Sequence, residues 1–196
     1  MRREVGKHYA TYDDYIKHQK VKTTDPKRRE LWLNKEWDMK VKIFENVFRN
    51  YKDKGILKEN MKAICFGART GQEVVALNNL NLDGIGIDIV PQEPYVIVGD
   101  IHKAPFEDNT FDFVFTNIMD HSIYPEKFIS EMERVLKQGG HCLVQLQLNC
   151  KSDEYAENDI YNSQSVIKLF NSSKLILDRD IPFTLSMNRE FLMKKS

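Results

Sequence analysis

The chain has 196 residues, enough for one domain with a full core and short of two. Lys+Arg and Asp+Glu both number 29, so the formal net charge is zero and no general field draws the protein to nucleic acid or an anionic membrane. No apolar run approaches the length of a membrane span, and the Met1-Arg2-Arg3-Glu4 start lacks the apolar centre of a signal peptide.

Residues up to about Thr24 are polar and basic, with Tyr9, Tyr12 and Tyr15 set among His8, Lys17, His18 and Lys20, and read as a helical or irregular lid in which His8 and His18 are solvated. Asp25-Pro26 offers an N-cap followed by proline at the first helical position. Leu31, Trp32, Trp37, Val41, Phe44, Val47, Phe48 and Tyr51 then recur at three-and-four spacing, which predicts one long amphipathic helix to about Lys54, stopped by Gly55. Its two tryptophans are expected to pack on a sheet. Residues 1–54 are thus expected to form a helical extension packed on the core, and residues 55–196 the main domain.

From Met61 strands and helices alternate. Residues 62–67 read as a strand and 71–79 as its helix; 84–89 and 95–98 are the next strands, and 111–116 the fourth. A helix opened by Pro125 runs to Gln138, closed by Gly139-Gly140, and 141–148 is a buried fifth strand. Residues 149–162 look too charged for a core. Ser163 caps a helix to Phe170, and 175–178 and 183–194 close the chain as two strands, the second bent near Asn188. The alternation implies an α/β fold with a doubly wound, Rossmann-like sheet. Cys65, Cys142 and Cys150 are odd in number and lack CxxC spacing, which argues against disulfide or zinc and for a reducing, cytoplasmic setting. No metal-ligand set is expected.

In an open α/β sheet, ligands sit outside the carboxyl ends of the strands at the switch point. Gly67-Ala68-Arg69-Thr70-Gly71 is a strand–turn–helix junction that brings backbone N–H groups to a ligand. Asp88 ends the next strand about 20 residues on, where it either caps the turn into Pro91 or accepts both hydroxyls of an adenosine ribose. Asp100, after Gly99, is either a solvated turn carboxylate or an acceptor for the adenine amine. Asp120-His121 follows the fourth strand and either orders a loop or serves as a general base. His102 and His141 show no obvious partners.

Five features in order carry a resemblance: Gly67-Ala68-Arg69-Thr70-Gly71, Gly86-Ile87-Asp88, Gly99-Asp100, the Pro105–Asp112 run, and Arg134-Val135-Leu136-Lys137-Gln138-Gly139-Gly140. Over roughly residues 62–148 the chain resembles class I S-adenosylmethionine-dependent methyltransferases of the type 11 kind. The resemblance implies a seven-stranded sheet whose last strand runs antiparallel. It implies S-adenosylmethionine as cofactor, with Gly67, Ala68 and Gly71 at its methionine part, Asp88 at the ribose, Asp100 and Ile101 at the adenine, and Asn117 beside the methyl group. Two positions depart from the family pattern. Cys65 stands where an acid usually meets the cofactor's ammonium, and Arg69 stands where a second glycine is usual, with a guanidinium able to pair with the methionine carboxylate.

The expected function is methyl transfer to a hydroxyl of a small-molecule or saccharide acceptor, with His121 as base and Asp120 orienting it. Asn117 is followed by Ile118-Met119-Asp120 rather than Pro-Pro-Tyr, which argues against a nucleobase nitrogen; no nucleic-acid or membrane partner is expected. The alternative is a methyltransferase-like binding or regulatory domain with a decayed cofactor site. A dehydrogenase is a distant third, because Arg69 breaks GxGxxG spacing.

Overall fold

Alternating strands and helices fold into a seven-stranded sheet in the computed structural model, which describes residues 2–3, 9–149 and 154–196. The expectations for His8 and Cys150 lie outside those residues. In chain order the elements are β1 (Arg2–Arg3), α1 (Tyr12–Thr24), α2 (Pro26–Glu30), α3 (Trp37–Asp53), β2 (Lys62–Phe66), α4 (Gln72–Asn79), β3 (Asp83–Asp88), β4 (Val96–Val98) and β5 (Phe111–Thr116). There follow α5 (Pro125–Val135), β6 (Leu136–Leu146), β7 (Asn158–Asp159), α6 (Ser163–Ile167), β8 (Ser173–Thr184) and β9 (Met187–Lys195). The main sheet has the order β4-β3-β2-β5-β6-β9-β8. β2 through β6 pair in parallel, and β9, the last strand, is antiparallel to both of its neighbours.

Strand periodicity sorts the core into two layers. Ala63, Cys65, Phe113 and Phe115 face α3 and α4, while Ile64, Phe66 and Val114 face α5 and α6. The α3 side is aromatic. Phe48, fully buried, meets Phe113 and Phe115 edge-on at centroid distances of 6.0 and 5.1 Å.

Several expectations are corrected. The helix predicted from 26 to 54 is broken: Leu31–Lys35 is a wider π-type turn, closed by Glu36 N donating to the Leu31 carbonyl at 2.9 Å. The Trp32 carbonyl there accepts from Gln72 Nε2 at 2.9 Å, a tertiary bond that helical periodicity cannot reveal. Helix α5 ends at Val135 rather than at Gly139-Gly140. Both glycines lie in β6, where Leu136 pairs with Phe111 and His141 with Phe113, so the residues between bulge out and Gly139 takes a φ of +77°. The cap of α6 is Asn162, whose side chain accepts from Ser165 N, and α6 stops at Ile167. The first C-terminal strand is longer than predicted and takes in residues 183 and 184, the second starts later, at Met187, and the two turn at Leu185-Ser186, both with positive φ.

The polar stretch is the largest correction. Glu157, Asn158, Asp159 and Ile160 are buried, and β7 pairs antiparallel with β1. Polar partners make this burial tolerable: Asn158 Nδ2 donates to the Ser122 carbonyl, and Glu157 Oε1 accepts from Tyr9 and Gln19. His18 belongs to the same contact, stacked on Tyr155 at 5.2 Å and bonded to Tyr9 Oη at 2.6 Å, so it is not simply solvated.

Phe48→Ala removes the ring that ties α3 to β5. We expect a loss of about 3–5 kcal/mol in urea unfolding, the range of a buried phenylalanine truncation, with the far-ultraviolet spectrum of the folded state retained.

Candidate functional site

The carboxyl ends of β2, β3, β4 and β5 open on one cleft, roofed by α1 and the Leu31–Lys35 turn. It consists of two adjoining pockets that share Lys22, Gly67, Arg69, Ile118 and His121. The turn after β2 is held by Gly67 and Ala68 N–H groups donating to the Ile87 carbonyl at 2.9 and 3.0 Å. Gly67 has φ +70°, and a Cβ there would meet Ile118 at 2.5 Å, so glycine is required where the backbone edges the cleft. Gly71 is placed differently. It begins α4 with φ +91° and faces Tyr95 and Val96 rather than lining the cleft.

Asp88, Asp100 and Ile101 line the first pocket. Asp88 accepts from Arg69 N and Val90 N, one on each oxygen at 3.0 Å. A carboxylate oxygen has two lone-pair sites, so each keeps room for a further donor. Burial raises the Asp88 pKa against the pull of those backbone bonds. Asp100 is more fully engaged. It accepts from Tyr12 Oη on both oxygens at 2.8 Å, from His102 N at 2.8 Å, and lies 3.2 Å from His102 Nδ1. Burial pushes Asp100 up, but the bonds from His102 and Tyr12 outweigh it and hold the carboxyl down at about 2. His102, which the sequence left without partners, is buried, with Nε2 2.7 Å from Ser122 Oγ.

Ala68, Asn117, Asp120 and Gln147 line the second pocket, together with Trp32 and Glu73. His121 borders both pockets, and its Nδ1 lies 3.0 Å from the Tyr155 carbonyl. A carbonyl only accepts, so Nδ1 donates there, which leaves Nε2 facing the cleft 3.8 Å from Asp120 Oδ2. Arg69, at φ +49°, lays its guanidinium over the Trp32 ring at 4.4 Å. Trp32 therefore packs on a cation at the cleft and not on the sheet, whereas Trp37 leans on Tyr95.

Residues 64–144 match the model of the methyltransferase domain family. The fold is that of a class I methyltransferase. Burkholderia thailandensis 1,6-didemethyltoxoflavin-N1-methyltransferase, solved with 1,6-didemethyltoxoflavin and S-adenosylhomocysteine bound, is similar at 9% identity, TM-score 0.74, over 98% of this chain and 93% of that one. A SAM dependent methyltransferase from Aquifex aeolicus is similar at 20% identity, TM-score 0.62, over 93% and 98%. The [4+2]-cyclase SpnF shares the fold at 13% identity, TM-score 0.62, over 77% and 80%. No curated protein sequence matches the chain.

On this methyltransferase fold, three residues at or behind the cleft were given no role from the sequence. Tyr12 and His102 left no usable signal, since their bonds to Asp100 depend on where α1 crosses the strand ends. Glu73 fell within the predicted 71–79 helix and was not singled out. It is 6% exposed, and burial raises its carboxyl to about 7 against the opposing pull of Arg69 and Lys40.

The sign of the Glu73 effect on stability follows from that shift. A carboxyl raised from 4.5 to about 7 on folding contributes stability below 4.5 that is lost as pH rises through about 7. Glu73→Gln should equal the wild type in urea stability at the acid end and exceed it above that window by up to about 3 kcal/mol. A pH-independent difference would show that the carboxyl stays solvated.

Proposed function

We propose that the protein transfers a methyl group from S-adenosylmethionine to a hydroxyl of a small-molecule or saccharide acceptor. The observation that carries this reading is the division of the cleft. One pocket presents Asp88 and Asp100, suited to hydroxyl and amine donors, and the other sets Arg69 and Lys40 beside Glu73. An adenosine joined to a zwitterionic amino acid has the complementary polarity. The Burkholderia thailandensis protein, whose printed name gives a small-molecule acceptor methylated at a nitrogen, N1, supports the small-molecule part of this reading; the hydroxyl rests on His121 as a base beside the cleft.

The open lone pairs on Asp88 would receive the ribose hydroxyls, and Ile101 with Asp100 would border the adenine. Gly67 and Ala68 would let the methionine part lie against backbone, with Arg69 offering a fork to its carboxylate and Asn117 edging the methyl group. When bound, the cofactor supplies an electrophilic methyl on a sulfonium. The remaining work is alignment and proton removal. His121 Nε2 would take the acceptor's hydroxyl proton, and the resulting imidazolium would be stabilised by Asp120 Oδ2.

A second reading, a binding or regulatory domain, has Tyr12 in its favour, because the phenol already occupies Asp100. Calorimetric titration with S-adenosylhomocysteine separates the two. Binding by the wild type supports the donor site, and its absence favours the regulatory reading. Asp88→Asn keeps one acceptor for the turn and should weaken that binding by about 1.5–3 kcal/mol, the scale of a hydrogen bond to a charged group. His121→Ala should leave this affinity nearly unchanged while cutting turnover of an identified acceptor by roughly 10²-fold. Full turnover in that variant would assign catalysis to proximity alone.

A further inference from the structure

We infer that Glu73 holds the ammonium of the donor's amino-acid end, in the half of the cleft bounded by Trp32 and Lys40; this rests on the S-adenosylmethionine reading above. Glu73 lies in the first turn of α4, and its side chain lines the second pocket while remaining 6% exposed. It makes no hydrogen bond or ion pair with any other described residue. The cations near it are engaged elsewhere, Lys40 with Glu36 at 2.6 Å and Arg69 with the face of Trp32. A buried carboxyl in contact with a cleft and without a bonded cation is costly unless something fills the role.

The other cleft carboxylates differ in this respect. Asp100 is satisfied by Tyr12 and His102, and Asp88 by two backbone N–H groups. Cys65 lies at the carboxyl end of β2 close to Glu73, and its thiol is pushed up first by burial and then by the Glu73 charge. It therefore stays neutral and supplies no anion. Burial also holds Glu73 near neutrality, so an arriving ammonium would draw it fully into its charged form. Arg69, whose guanidinium rests on the Trp32 face and bonds no described carboxylate, gives the attached carboxylate a counter-charge on the same wall. A ligand that carries both charges on one carbon suits this arrangement better than a simple amine does.

The test compares two probes by calorimetry, S-adenosylhomocysteine and methylthioadenosine, which keeps the adenosine and lacks the amino-acid end. Wild-type protein should bind the first more tightly. Glu73→Gln, a neutral isostere of the protonated side chain, should weaken S-adenosylhomocysteine by about tenfold or more and leave methylthioadenosine unchanged. Titrations in two buffers of different ionisation enthalpy add a second readout. Near neutral pH the wild type should release protons on binding S-adenosylhomocysteine, and the variant should release fewer. Unchanged S-adenosylhomocysteine affinity in the variant, or equal weakening of both probes, overturns the assignment while the cofactor reading stands. Wild-type protein that binds neither probe overturns both.

Discussion

Parallel pairing of β2 with β3 on one side and β5 on the other is the constraint from which the cleft follows. The crossover from β2 to β3 runs through α4 on the α3 face, whereas the one from β5 to β6 runs through α5 on the opposite face. Their starting turns therefore diverge above the sheet, and a crevice opens between them. Gly67 on one turn and Ile118 on the other meet across it. Gly67, Asp88, Asp100 and Asn117 are strand-end residues carried to this opening by the sheet, and Glu73 stands in the helix that starts there.

The cleft's acids form a graded series. Asp100 accepts from the Tyr12 phenol and the His102 backbone and stays ionised far below neutrality; Asp88 accepts from two backbone N–H groups and is raised; Glu73 has no side-chain hydrogen bond among the described residues and rises to about 7. Burial raises Asp88 and Glu73, whereas Asp100, less buried and hydrogen-bonded by His102 and Tyr12, stays charged. A folded chain that keeps Glu73 buried accepts a stability cost at a surface open to a ligand, which is the pattern expected of a binding group more than of a core residue.

The wall opposite the sheet is built by polar bonds rather than an apolar stripe. Helix α1 buries only Tyr15 and Thr23, yet Tyr12 reaches Asp100, Tyr15 donates to the His121 carbonyl at 2.9 Å, and Gln19 reaches the Tyr155 carbonyl at 2.8 Å. These bonds join α1 to both the fourth-strand turn and the 155–160 stretch. Any shift of α1 must therefore be felt at Asp100 and His121 together. Among the described residues no helix is long and apolar enough to cross a membrane.

Local pattern by itself determined the sheet. Apolar runs bounded by Gly67, Asp88 and Asp100 marked strand ends, Phe111–Thr116 was bounded correctly, and the Asp25-Pro26 cap was visible because capping and strand burial act over a few residues. The strand-end residues Gly67, Arg69, Asp88, Asn117 and His121 were legible for the same reason, Ile101 through the family resemblance alone, and all six line one cleft. Only the tertiary structure decided what joins them. Tyr12 and Asp100 are 88 residues apart, Gln72 and Trp32 are 40 apart, and their bonds leave no periodic trace. The charged 157–159 segment looked solvent-exposed because composition records a residue's solvation cost, whereas burial depends on partners such as Tyr9 and Ser122 that distant segments supply. Glu73 was hidden for the converse reason. Its sequence context is an ordinary helix start, and only the packing of α3 and the Trp32 turn around it removes its water.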